Sequence, residues 1–332
     1  MTARIHGGPD AQGVARWDFS SNANACGPCP MALQAVWQAN ATHYPDPAYT
    51  RLRATLAELH GVAPWRVLLA ASASECIQRL TAWRWQAGDR RFWTPPHAYG
   101  DYAHAASAWG LERVGAPAQA PLAWLCDPGS PLGQGESVEV VRALLNHTPR
   151  TAVLDRAYAP LRLRGESALD AAQLDRVWQL WSPNKALGLT GVRAAYAIAP
   201  LGAHADVEAL QALAASWPIG AHGEAMLMAW AQTEVQRWVA DSRENLAAWA
   251  EALRATLERH GWICAPSDTA YVCSKPPHPL DAARLRAQGI KLRDATSFGL
   301  PGWWRLNAQR PEALAALDAA LQEQLVNEGT PR

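Results

Sequence analysis

Lys185 lies in Trp181-Ser-Pro-Asn-Lys-Ala-Leu-Gly-Leu-Thr-Gly-Val-Arg-Ala-Ala-Tyr196, directly after an apolar run and ahead of a glycine-punctuated loop that reaches Arg193. A lysine at the end of a buried strand loses its proton through desolvation, and the free amine can attack an aldehyde to form an imine. Ser182 and Arg193 add a hydroxyl and a guanidinium, both suited to donating to a phosphate. Upstream, Ala152-Val-Leu-Asp-Arg-Ala-Tyr158 ends an apolar run in a carboxylate. Asp155 either caps a following helix or points into the same crevice beyond the strand ends as the lysine. Ser72-Ala-Ser-Glu75 stands between a strand-like and a helix-like segment. There main-chain N–H groups cradle an anion, or a hydroxyl simply caps the helix. Cys26-Gly-Pro-Cys29 has the spacing of a redox pair. That chemistry needs a low-pKa thiolate at a helix N-terminus after a strand, and no βαβ unit precedes it. Further ligands for a metal are lacking, so no metal is expected.

These residues need a scaffold, and the chain carries the pattern of one. The runs 66–71, 91–94, 123–127, 151–154, 177–181 and 194–199 read as strands, with helices at 75–85 and 102–109 between them. That alternation predicts an α/β domain with a largely parallel sheet. After Ser216-Trp-Pro-Ile-Gly220 two long helical segments follow as far as His260, the first opening near Ala221. Short extended pieces at 262–265, 270–273, 290–292 and 303–307 and a helix over 311–326 complete a smaller α+β part. The 332 residues are 49% hydrophobic and 18% charged, enough for a substantial core, and the formal net charge is zero. That balance gives no long-range attraction to nucleic acid or to an anionic membrane surface. No apolar run is long enough to span a bilayer, and the opening residues lack a signal-peptide core, so the cytoplasm is the expected compartment. The six cysteines are scattered and imply no disulfide framework.

The lysine segment resembles the Ser-x-x-Lys-x-x-Gly-Leu-x-Gly-x-Arg motif of fold-type I pyridoxal-phosphate enzymes. Asp155-Arg-Ala-Tyr158 resembles the Asp-Glu-Ala-Tyr of their class I/II aminotransferase family, with Arg156 in place of Glu. The resemblance implies the aspartate aminotransferase-like fold of pyridoxal-phosphate-dependent transferases. That fold has a large α/β domain with a mostly parallel sheet flanked by helices, and a smaller α+β domain. It divides the chain into an N-terminal arm (1–40) joining the small domain, a large cofactor-binding domain (41–215) and a C-terminal small domain (216–332). Pyridoxal 5'-phosphate is then expected as an imine on Lys185, with Asp155 against the pyridine nitrogen and Tyr158 donating to the phenolic oxygen. Ala73 and Ser74 fall on the phosphate-cradling turn, with the Ser74 hydroxyl as a donor, joined by Ser182 and Arg193. Tyr44, in Tyr-Pro-Asp-Pro, matches a tyrosine that reaches the phosphate in a partner subunit, which implies a homodimer with a shared active site. Pro95-Pro-His-Ala-Tyr-Gly-Asp-Tyr102 is one residue longer than the family's Pro-Pro-Thr-Tyr-Gly-x-Tyr. The extra residue leaves Tyr99 or Tyr102 as the tyrosine stacked on the ring, and Tyr99 is taken for it. Phe298-Gly-Leu-Pro-Gly-Trp-Trp-Arg-Leu-Asn307 puts the arginine that grips the substrate carboxylate at Arg305.

One departure is larger. The family's Asn-Pro-Asn-Asn-Pro-Thr-Gly turn reads Asp127-Pro-Gly-Ser-Pro-Leu-Gly133, so the asparagine that donates to the cofactor becomes Ser130. His6-Gly-Gly and Asp18-Phe-Ser-Ser-Asn-Ala-Asn24 look like the opening of the threonine-phosphate decarboxylases of cobalamin biosynthesis, relatives of the histidinol-phosphate aminotransferases. This arm implies that His6 and Asn24 contact substrate. The expected function is a pyridoxal-phosphate-dependent decarboxylase of a phosphorylated amino acid. An aminotransferase of the histidinol-phosphate type is the alternative. The altered Ser130 turn motivates a reading of another class, a non-catalytic binding protein.

Overall fold

A computed structural model describes residues 6–146 and 151–328, with side chains to residue 324. Seven strands form the large sheet: β2 (Val67–Ala70), β3 (Arg91–Trp93), β4 (Glu112–Arg113), β5 (Leu122–Cys126), β6 (Thr151–Asp155), β7 (Trp178–Trp181) and β8 (Ala195–Ile198). Their order is β2-β8-β7-β6-β5-β3-β4. The neighbours from β7 to β4 run parallel, whereas β8 is antiparallel to both β2 and β7. The sheet is therefore mixed at one side, which the apolar runs did not reveal.

These strands are continuously apolar because helices cover both faces. In β2, Val67 and Leu69 join one core with Tyr196 and Ile198 of β8, while Leu68 and Ala70 join another with Ala195 and Ala197. The first core packs helices Thr50–His60 and Ala221–Trp230, and the second packs Ala73–Gln86 and His204–Ala212. The period of two thus sorts adjacent side chains to opposite layers.

A smaller antiparallel sheet comprises β9 (Ile263–Cys264), β10 (Tyr271–Lys275), β12 (Arg293–Asp294) and β13 (Trp304–Asn307), in the order β12-β13-β10-β9. The 27-residue helix Thr233–Arg259 lies between the two sheets in the chain. The arm's strand β1 (Trp17–Asp18) pairs in parallel with β11 (Ile290–Lys291), which fastens the N-terminal segment to the C-terminal part of the molecule. Asp10 adds an ion-paired clasp to Arg286 and Lys291. Among the described residues no helix is long and apolar enough to cross a membrane, and no cluster of His, Cys, Asp and Glu suits a metal.

Candidate active site

The carboxyl ends of β5 and β6 lie in register, Cys126 opposite Asp155, and the chain turns into the crevice just beyond them. Asp155 is buried at the tip of β6. One carboxylate oxygen accepts from the Tyr102 hydroxyl at 2.7 Å and the other from the Ala157 main-chain N–H at 2.9 Å. Burial pushes the Asp155 carboxyl above its ordinary range; Tyr102, the charge of Lys185 and the Ala157 N–H oppose that rise. Lys185 is half-buried, and its Nζ lies 5.3 Å from the centre of the Tyr158 ring. Tyr158 in turn meets Tyr271 edge-on at 5.1 Å, and its hydroxyl has no partner among the described residues. Lys185, Asp155 and Tyr158 are thereby gathered at one place.

The arm holds the lysine loop by its backbone. Asn24 N donates to Lys185 O at 2.9 Å, and Cys29 N donates to Leu187 O at 2.8 Å. A Cβ on Gly27 would come within 3.1 Å of the Gly188 Cα, so the arm and the lysine loop cross at a pair of glycines. That crossing accounts for Gly27 in the Cys-Gly-Pro-Cys segment. Burial raises both the Cys26 and the Cys29 thiols, and both cysteines are free, the opposite of an activated redox pair. Asn24 differs from expectation. Its amide donates both protons, to Ala186 O and Ser242 Oγ, and its oxygen accepts from Cys26 N, which leaves no donor for a substrate. Two residues earlier, both amide atoms of Asn22 are buried without a partner among the described residues. Asn22 sits between Ser20, whose carbonyl accepts from Arg305, and Ala23, whose carbonyl accepts from Asn307. Its orphaned amide is the stronger candidate for ligand contact, visible only in three dimensions.

The helix Ala73–Gln86 begins at its cap Ser72, whose hydroxyl accepts from Glu75 N at 3.1 Å. The N–H groups of Ala73 and Ser74 stand in its first turn, where main-chain N–H groups lack intrahelical partners and can donate to an anion. Ser182 Oγ is buried and has no partner among the described residues. Arg193 is exposed on its loop with no ion pair or hydrogen bond among the described residues. Tyr44 does not join this cluster. It is 78% exposed and stacks on Trp217 at 4.4 Å.

The tyrosine pair divides its work. Tyr102 is fully buried, stacks on Trp124 at 4.9 Å and is the donor to Asp155. Tyr99 is half-buried, donates to Asp101 at 2.8 Å and lies 6.4 Å from the exposed His6 ring. His97, within the lengthened loop, meets Phe298 O at 2.8 Å and ties that loop to the small sheet.

Arg305 of β13 donates to Ser130 Oγ at 2.7 Å and to Ser20 O at 2.6 Å, and its Nε is buried without a partner among the described residues. Ser130, expected at the cofactor, here holds the arginine. Opposite Arg305 across the strand pair is Arg293, which the sequence reading passed over. Both are buried, and their guanidinium carbons lie 5.8 and 4.8 Å from the Phe298 ring. Burial first, then the like charge of Arg305, pulls Arg293 down to about 10. Arg156 stacks over Trp181 at 4.7 Å, outside the carboxylate cluster.

The sequence model of the family described as aminotransferase class I and II matches residues 17–320. Histidinol-phosphate aminotransferase 2 of Rhizobium meliloti strain 1021 is 27% identical over 331 residues, covering 92% of each chain. Two solved structures share the architecture. The histidinol-phosphate aminotransferase of Sinorhizobium meliloti, in complex with pyridoxal-5'-phosphate, superposes with a TM-score of 0.77 at 21% identity, over 93% of this chain and 90% of the other. The L-threonine-O-3-phosphate decarboxylase of Porphyromonas gingivalis gives 0.75 at 22% identity, over 93% and 99%. At these identities the likeness speaks for the fold.

Proposed function

The chain belongs to the family of class I and II aminotransferases, and we propose that it is a pyridoxal-phosphate enzyme acting on a phosphorylated amino acid, a decarboxylase of the threonine-phosphate type. The residues present fit the cofactor. The unpartnered Ser182 hydroxyl, the open N–H groups of Ala73 and Ser74 and the unpaired Arg193 would take its phosphate. Lys185 would take its aldehyde carbon, Asp155 its ring nitrogen and Tyr158 its phenolic oxygen. When bound, pyridoxal phosphate supplies a protonated ring that accepts the electron pair released at the substrate Cα.

The protein's own groups do the rest. Asp155, fixed by Tyr102 and Ala157 N, holds a proton on the ring nitrogen. Arg305 orients the substrate carboxylate through a two-pronged contact. Lys185, its loop braced by the arm, delivers a proton to Cα after carbon dioxide leaves. Arg293, Asn22 and His6 bind the substrate phosphate from the small sheet and the arm.

The observation that carries the decarboxylase reading is the buried pair Arg293 and Arg305 on adjoining strands. Two guanidiniums suit a substrate with two anionic groups, and O-phosphothreonine has a carboxylate as well as a phosphate, whereas histidinol phosphate has only the phosphate. The second reading, an aminotransferase of the histidinol-phosphate type, draws support from the 27% identity to an enzyme of that name. Carbon dioxide release from O-phospho-L-threonine, set against amino transfer from histidinol phosphate to 2-oxoglutarate, separates the two. Transfer without release would overturn the decarboxylase. Borohydride treatment of the cofactor-loaded protein should fix the cofactor on the peptide containing Lys185. A homodimer with Tyr44 completing the partner's phosphate site belongs to the same proposal. A monomeric mass in solution would remove it.

A further inference from the structure

Asp101, at the start of the helix Gly100–Ala108, is 6% exposed and faces the phosphate cradle. Its Oδ2 accepts from Ser74 Oγ at 2.5 Å and from the Tyr99 hydroxyl at 2.8 Å, and the two hydroxyl oxygens lie 3.3 Å apart. One carboxylate oxygen thus takes hydrogen bonds from two hydroxyls, those of Ser74 and Tyr99. A serine hydroxyl has a single proton, and a carboxylate only accepts. While Ser74 donates to Asp101, it has no proton left for a phosphate oxygen.

From this geometry we propose that Asp101 is a positioning residue that decides which donors the phosphate cradle presents. It claims the Ser74 proton and pins the Tyr99 phenol. Phosphate recognition then falls to the Ala73 and Ser74 main-chain N–H groups, Ser182 and Arg193. The role expected for the Ser74 side chain, a hydroxyl donor to phosphate, is thereby replaced. The inference rests on the pyridoxal-phosphate reading and deepens it.

A double-mutant cycle on the apoprotein tests this without reference to turnover. Binding of pyridoxal phosphate, and of pyridoxal as the phosphate-free control, is followed by quenching of tryptophan fluorescence. With Asp101 present, Ser74→Ala should change the Kd for pyridoxal phosphate by less than about threefold. A hydroxyl donating to a charged phosphate is worth about tenfold or more. In the Asp101→Ala background the freed hydroxyl turns to the phosphate, and Ser74→Ala should then weaken binding about tenfold. Pyridoxal should show no such coupling in either background. Asp101→Leu, close in size and without an acceptor, repeats the cycle should the alanine variant fail to fold. The induced circular dichroism of the bound cofactor should also fall in Asp101→Ala, as the Tyr99 ring loses its anchor. Tenfold weakening by Ser74→Ala with Asp101 in place overturns the proposal, as does an equal effect in both backgrounds. Failure of the unmodified protein to bind pyridoxal phosphate would bring down the functional reading and the inference together.

Discussion

At the scale of single residues, the site turns on the forces that act on a buried carboxylate. Burial raises the Asp155 carboxyl, and Tyr102, Lys185 and the Ala157 N–H oppose that rise, in that order. Tyr102→Phe removes the largest of the three restraints. The Asp155 carboxyl then protonates at a higher pH, and the acid limb of the kcat/KM profile should move upward by about one pH unit, the worth of one hydrogen bond to a charged group. An unmoved limb in a folded variant would separate Asp155 from the chemistry. Asn22 and Asn24 make a second contrast. Asn24 has its amide bound on both sides, so Asn24→Ala should lower stability by about 2–3 kcal/mol in denaturant melts. Asn22 has nothing bound, so Asn22→Ala should leave stability nearly intact and raise KM for the phosphorylated substrate about tenfold. The reverse pattern would return the arm contact to Asn24. Lys185, Asp155 and Tyr158 were legible in the sequence because each lies in a contiguous motif. Asn22, Arg293 and Asp101 were not. What singles them out is a missing partner, a neighbouring like charge or a shared acceptor, and none of these leaves a trace in spacing.

At the scale of elements, the core strands and the long helices could be read from apolar runs, since strands covered on both faces are apolar throughout. The direction of β8 could not, because a run of buried residues is the same in either sense. The two-residue strands β4 and β12 are too short to carry any period. The helix Thr50–His60 shows what such packing implies for stability. Its last residue, His60, meets the Tyr196 hydroxyl of β8 at 2.8 Å, and Trp230 Nε1 reaches the same oxygen at 3.0 Å. Burial, with the charge of Arg156 added, lowers His60 from its ordinary 6.5 to about 4. The unfolded chain takes up the proton near pH 6.5, and the folded chain does so only near pH 4. Stability is therefore undiminished above pH 6.5 and falls as the pH drops through that window, by up to about 3 kcal/mol. His60→Gln should flatten this acid slope in urea titrations between pH 7 and 4. An unchanged slope would place the acid sensitivity elsewhere, with the buried carboxylates as the next candidates.

At the scale of the whole molecule, Arg305 joins three stretches of chain distant in sequence. It stands on β13 of the small sheet, donates to Ser130 on the turn after β5 of the large sheet, and donates to the Ser20 carbonyl of the arm. The arm is held again at its far end, where Asp10 pairs with Arg286 and Lys291 and the Lys291 ammonium donates to Gly8 O at 2.6 Å. His6, just before the far tie and near Tyr99, and Asn22, two residues after Ser20, depend on these anchors. Lysine cannot reproduce the fork of a guanidinium. Arg305→Lys should therefore do two things together: raise substrate KM by about ten- to a hundredfold, and expose the arm to limited proteolysis. Asp10→Ala frees the arm's far end and leaves Arg305 in place, so it should increase proteolysis of the arm while raising KM only a few-fold through the looser His6 and Asn22. If Arg305→Lys raised KM with the arm still protected, Arg305 would be a substrate ligand without an organising role. If Asp10→Ala raised KM as much as Arg305→Lys, arm closure itself would be the step that admits substrate, and the arginine would act mainly by holding the arm shut.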